Sequence, residues 1–111
     1  MFNVVEKELN SIHNINRIHP RKQRTVRNIL KEIPRIKVFG SAIRWDCSET
    51  SDIDILLNKD NVGCSKKEAY KKLERCIDTD FDLLWEDEIK DNMTDNQKEN
   101  IIDRSVELYE E

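Results

Sequence analysis

The stretch IKVFGSAIRWDCSETSDIDILL, residues 36–57, constrains this chain more than any other. It reads as a buried strand from Ile36 to Phe39, a tight turn at Gly40-Ser41, an irregular polar segment, and a second strand from about Asp52 to Leu57. Strand side chains alternate between faces, so Asp52 and Asp54 project together while Ile53 and Ile55 project the other way. Neighbouring carboxylates on an apolar strand repel each other and lose hydration. Acids in such places are tolerated chiefly when paired or bound to a cation. Their spacing suits a hard divalent ion that takes oxygen ligands. The Gly-Ser turn upstream offers backbone N–H groups and a hydroxyl, the donors of a phosphate site. Together these features predict a site for a metal-bound nucleotide; the plainer alternative is a strand with outward-facing acids.

The remaining elements follow from periodicity. Phe2, Val5, Leu9 and Ile12 recur at three- and four-residue steps and predict an amphipathic first helix, ending before Pro20. Pro20 then opens a second helix with an apolar stripe of Val26, Ile29, Leu30 and Ile33, and Pro34 stops it. Arg21, Lys22, Arg24 and Arg27 lie off that stripe, on a solvated face or one that meets a partner. Ser65-Lys66-Lys67-Glu68 has the form of a capping box, opening a helix that buries Ala69, Tyr70, Leu73, Cys76 and Ile77. Asp80 to Trp85 predicts a third strand, with Asp82 and Leu84 on one face. Thr94 and Gln97 form a second capping box, and Ile101, Ile102, Val106, Leu108 and Tyr109 are expected on the closing helix. The outcome is an α/β (α+β) domain, helices packed on a small mixed sheet.

At 111 residues the chain makes one domain. Residues 1–37 carry nine Lys/Arg against three Asp/Glu, whereas residues 38–111 carry ten against twenty. The acidic part holds the proposed cation site, and the basic part suits a nucleotide, an RNA or an acidic partner. Three cysteines without a CxxC pair predict neither a disulfide framework nor a zinc site. No apolar run approaches the ~20 residues of a membrane span, and no signal peptide is visible, so a cytoplasmic protein is expected. His13 and His19 have no evident catalytic partner in the sequence.

Gly40-Ser41, ten residues, then Asp52-Ile53-Asp54 resembles the GS-x10-DxD signature of the nucleotidyltransferase superfamily related to DNA polymerase beta. Within that superfamily the short chain looks like the minimal nucleotidyltransferases, many of which partner HEPN-domain toxins. The resemblance runs from residue 36 to about 109: Phe81-Asp82-Leu83-Leu84 is similar to the later strand bearing a third carboxylate, and IIDRSVELYEE to the last helix. It implies the nucleotidyltransferase fold, with residues 1–34 as an N-terminal helical segment and 35–111 as the catalytic core. It also implies ATP as substrate and two Mg²⁺ ions, held by Asp52, Asp54 and Asp82. Gly40, Ser41, Arg44 and Ser51 would bind the nucleotide. Asp80 is the runner-up for the third carboxylate. The family has a glycine after the arginine where this chain has Trp45, which could narrow the pocket, stack on a base or simply pack. The implied activity is transfer of AMP to a hydroxyl of a partner protein: an antitoxin adenylylating a HEPN toxin, in a hetero-oligomer with it. Neutralisation by binding alone, or a catalytic subunit of a two-subunit antibiotic- or nucleic-acid-modifying transferase, are the alternatives. Nucleic acid is the less favoured partner, and no membrane is implied.

Overall fold

A computed structural model of the chain describes residues 11–44, 47, 48, 50–89 and 93–110. Phe2, Val5 and Leu9 of the expected first helix, and Trp45, lie outside them. Five strands form one mixed sheet: β1 (Ile12–His13), β2 (Arg35–Phe39), β3 (Ile53–Leu57), β4 (Phe81–Trp85) and β5 (Val106–Glu110). Their spatial order is β1-β5-β2-β3-β4. β3 and β4 run parallel, and the other neighbouring pairs are antiparallel.

Two helices cover one face of this sheet. The first, α1 (Pro20–Glu32), starts where expected, with Pro20 at its first position and the His19 side chain accepting from the Arg21 N–H. Its stripe of Val26, Ile29 and Leu30, together with Ile33 just beyond it, is buried. The second, α2 (Lys66–Cys76), begins with the Ser65 hydroxyl accepting from the Glu68 N–H at 3.2 Å. Because β3 and β4 are parallel, the chain must cross over between them, and α2 is that crossover. Ala69 and Leu73 pack with Val26 and Ile29 on the apolar face formed by Ile36, Val38, Ile53, Ile55, Leu57 and Leu108. The opposite face carries Arg35, Lys37, Phe39, Asp54, Asp82 and Glu107, as the strand registers require. One face makes the core, and the other is largely polar.

The structure departs from the expected pattern at both ends. Ile12, expected on a helix, sits in β1 opposite Glu110. Ile12 and His13 are therefore part of the sheet, and Ile15 and Ile18 just after them join the core. At the other end the capping box is present: the Gln97 N–H donates to Thr94 Oγ1, and the Thr94 N–H donates to Gln97 Oε1. Yet that helix, α4 (Asp95–Lys98), continues only through a π-helical turn, Glu99–Asp103, before the chain becomes β5. A short α3 (Glu86–Ile89) precedes it. Val106 to Glu110 alternates apolar and polar, and an antiparallel partner was needed along Arg35–Val38 of β2. Pairing of the two strands outweighs continuation of the helix.

Three side chains also differ from expectation. Lys22 is buried, at 3% exposure, instead of lying on a solvated face. Tyr70, expected in the core, is 49% exposed and packs only its ring against Phe81. Tyr109 lies on β5, stacked on His13 at 4.6 Å with the Arg35 guanidinium over its ring.

Because Leu108 is fully buried in β5, Leu108→Ala is expected to lower stability by about 2–5 kcal/mol in urea denaturation. Ile102→Ala, on the half-exposed turn before it, should lose well under half of that. Equal losses at both positions would restore a continuous helix to this end of the chain.

Candidate functional site

The site grows from the junction of β2 and β3. β2 ends at Phe39, and a 3-10 turn, Gly40–Ile43, follows. Gly40 has φ of +70°, a conformation that side chains with a Cβ rarely adopt. A Cβ at this position would also overlap Asp54 Oδ2. The glycine is thus required twice, by its own backbone and by the carboxylate lying against it.

Asp54 stands in β3 directly beside Asp82 of β4, paired with it in the parallel register. The two side chains share a hydrogen bond, and the Asp54 carboxyl is pushed up from 3.8 to about 6. Burial contributes most, followed by the hydrogen bond to Asp82 and the negative charges of Asp82 and Asp52; the Arg44 guanidinium opposes them. With that value the Asp54 carboxyl keeps its proton below about pH 6 and gives it up toward neutrality. Asp52 is exposed and lies just ahead of β3. Asp80 does not join the pair. Its carbonyl accepts from the Ile53 N–H, and its residue lines a separate groove with Tyr70, Glu74 and Phe81. Among the described residues no three acidic, histidine or cysteine side chains are grouped closely enough to hold a metal ion. What the fold brings together is a pair, with a third charge close by.

Beside the pair opens a cleft of about 490 Å³, within the range of small-molecule sites. Phe39, Gly40, Ile43, Arg44 and Asp54 form one side of it. Asn100, Ile101 and Arg104, from the π turn and the residue after it, form the other. Arg44 and Arg104 give the cleft two guanidinium groups, suited to anionic oxygens. Arg104 also donates to Glu99 at 3.3 Å. An adjoining cavity, sharing Ile43 and Arg44, is lined by Arg17 and His19, so the basic N-terminal part reaches the rim. The His19 N–H donates to the Ala42 carbonyl at 2.8 Å and ties that segment to the 3-10 turn.

Of the expected nucleotide ligands, Gly40 and Arg44 line the cleft, and the two serines do other work. The Ser41 hydroxyl donates to the Asp52 carbonyl at 3.1 Å. Ser51 Oγ accepts from the Ser48 N–H at 2.9 Å and lies 3.0 Å from Ser48 Oγ. Both fix the course of the loop that delivers Asp52. Sequence reasoning missed Asn100, Ile101 and Arg104 because it laid them along a helix. The strict alternation after Ser105 was the available signal that the chain turns there. Compared with protein-family models, curated proteins and solved structures, the chain matches none.

Two outcomes follow from this geometry. Gly40→Ala is expected to destabilise more than Gly63→Ala: both glycines have positive φ, but only Gly40 has a neighbour in the way. Gly63→Ala should cost about 1–2 kcal/mol for the backbone alone, and equal losses in denaturant titrations would remove the Asp54 contact. The second concerns pH. With its folded pKa raised from 3.8 to about 6, Asp54 binds more protons folded than unfolded between those values. Its contribution to stability is thus fully present below about 4 and is lost as pH rises through 6. In metal-free buffer, Asp54→Asn should melt higher than wild type at pH 7 and flatten this dependence; a lower melting temperature at pH 7 would make Asp54 a structural hydrogen-bonding residue.

Proposed function

We propose that this protein is a Mg²⁺-dependent nucleotidyltransferase acting from ATP. The observation that carries the reading is the in-register Asp54–Asp82 pair, backed by Gly40 and opening on a cleft with two arginines. The donor set suits the ion: Mg²⁺ is commonly held by one or two carboxylates, with substrate phosphates and water completing its shell. Asp54 and Asp82 would hold it between them, and Asp52 would add its charge. When bound, the metal neutralises charge on the phosphates and on the leaving group. The chain's own residues do the rest. Arg44 and Arg104 orient the triphosphate, and the Gly40 backbone lets it approach the strand ends. The acceptor hydroxyl oxygen forms a bond to the α-phosphorus as the bond to the bridging oxygen breaks, and pyrophosphate leaves. Asp82, exposed at the open side of the pair, takes the hydroxyl proton.

By its resemblance to the minimal nucleotidyltransferases, the acceptor is a hydroxyl on a HEPN-type toxin, and the chain is its antitoxin, working in the cytoplasm as part of a hetero-oligomer. Among the described residues, no helix is long and apolar enough to cross a membrane. The second reading is neutralisation by binding alone, which needs neither the Asp54–Asp82 pair nor a nucleotide.

One experiment separates the two. The protein is incubated with labelled ATP, Mg²⁺ and a co-expressed HEPN-type partner. Asp54→Asn and Asp82→Asn are each expected to cut label transfer by about 10²-fold or more, while Asp80→Asn stays active. Transfer at the wild-type rate by Asp54→Asn would overturn the enzymatic reading. Toxin neutralised equally well by Asp54→Asn without ATP would select binding.

A further inference from the structure

β4 ends the sheet, and among the described residues no strand lies on its far side. The Ile53 N–H donates to the Asp80 carbonyl, which sets the phase of the parallel ladder. Asp80, Asp82 and Leu84 therefore turn their peptide groups toward β3, and Phe81 and Leu83 turn theirs outward. An edge presenting such donors and acceptors is a template for another strand. We propose that β4 receives an extended, lysine- or arginine-bearing segment of a partner protein as a sixth strand, with a hydroxyl side chain of that segment beside Asp82. The role of the hydroxyl rests on the nucleotidyl-transfer reading; the docking does not.

Register and charge carry the argument. Phe39, Asp54 and Asp82 form one row across β2, β3 and β4 on the open face of the sheet. An added strand continues that row at the usual interstrand spacing of about 4.8 Å, placing one of its side chains next to Asp82. The two flanking side chains point to the other face, so a single hydroxyl per segment is presented to the carboxylate pair. Glu86, Asp87 and Glu88, just past β4, are paired with Lys37 and Lys66, whereas residues 78–82 hold three acidic residues and no Lys or Arg. Asp78, Asp80 and Asp82 are exposed along the edge. Two copies of such an edge repel each other, so the occupant is a basic segment and not a second copy of this chain. At the start of the edge, a groove of about 240 Å³ is lined by Tyr70, Glu74, Ile77, Thr79, Asp80 and Phe81. An exposed aromatic ring between carboxylates suits the stem and charged head of a lysine or arginine.

The test uses the intact protein and a synthetic peptide alternating lysine and valine around one central tyrosine. On adding peptide, amide hydrogen exchange at Phe81 and Leu83 is expected to slow by about tenfold or more, and a peptide with glutamate for lysine should leave it unchanged. Leu83→Pro removes an outward N–H without breaking the ladder to β3 and should weaken peptide binding by about tenfold. Asp78→Lys, in the exposed bend before β4, should weaken it several-fold, most at low salt. Failure of the peptide to bind overturns the proposal, as does binding with Phe81 and Leu83 exchange unchanged or wild-type binding by both variants. Adding ATP and Mg²⁺ keeps the two readings apart. Edge protection without label on tyrosine preserves the docking site and removes nucleotidyl transfer. Label on tyrosine without edge protection does the reverse.

Discussion

Two carboxylates held in register on neighbouring parallel strands repel one another, and the structure is arranged to keep them together. Asp54 and Asp82 could separate only if β3 slid along β4. A slip of one residue would turn Ile53, Ile55 and Leu57 out of the core and bring Asp54 in. Each of these side chains is essentially fully buried. Burying a side chain of this size is worth about 1.5–3 kcal/mol. The apolar face therefore outweighs the strain on the polar one, and the same strands carry both. This is how the fold keeps a raised carboxyl pKa at its surface.

The cleft depends on that pairing and on a second decision made far away in the chain. β5 inserts between β1 and β2, so the π turn ahead of it must end beside the start of the sheet's open face. That path brings Asn100, Ile101 and Arg104 opposite Gly40 and Arg44. A π-helical turn is uncommon and is found frequently at functional sites. Had the C-terminal segment remained a helix, β2 would have lost its ladder along Arg35–Val38, and the cleft would have lost one wall.

At the opposite end of the open face, charges are settled internally. Glu86, though buried, accepts from Lys37 Nζ and from Asn58 Nδ2, and Arg35 pairs with Glu107 at 3.1 Å. These groups line a small cavity of about 120 Å³ whose charges are all partnered. The contrast with the other end is physical. One end pairs opposite charges, and the other concentrates like charges that a cation or a proton must satisfy.

The local sequence by itself determined much of this. The alternation in Ile53–Leu57 and Phe81–Trp85 put Asp54 and Asp82 on one strand face each, Pro20 and Ser65 marked helix starts, and Gly40 marked the turn. Each is a property of a few adjacent residues, set by periodicity, a fixed φ or a cap. Only the tertiary structure decided that Asp82 rather than Asp80 meets Asp54, because that depends on the register between strands 28 residues apart. It also decided that Ser41 and Ser51 brace the loop, since their partners are carbonyl and amide groups placed by the turn. The same holds for β5. A five-residue alternating stretch following a well-capped helix is locally compatible with either structure. What selects the strand is the open edge of β2, and an edge exists only once the sheet has formed.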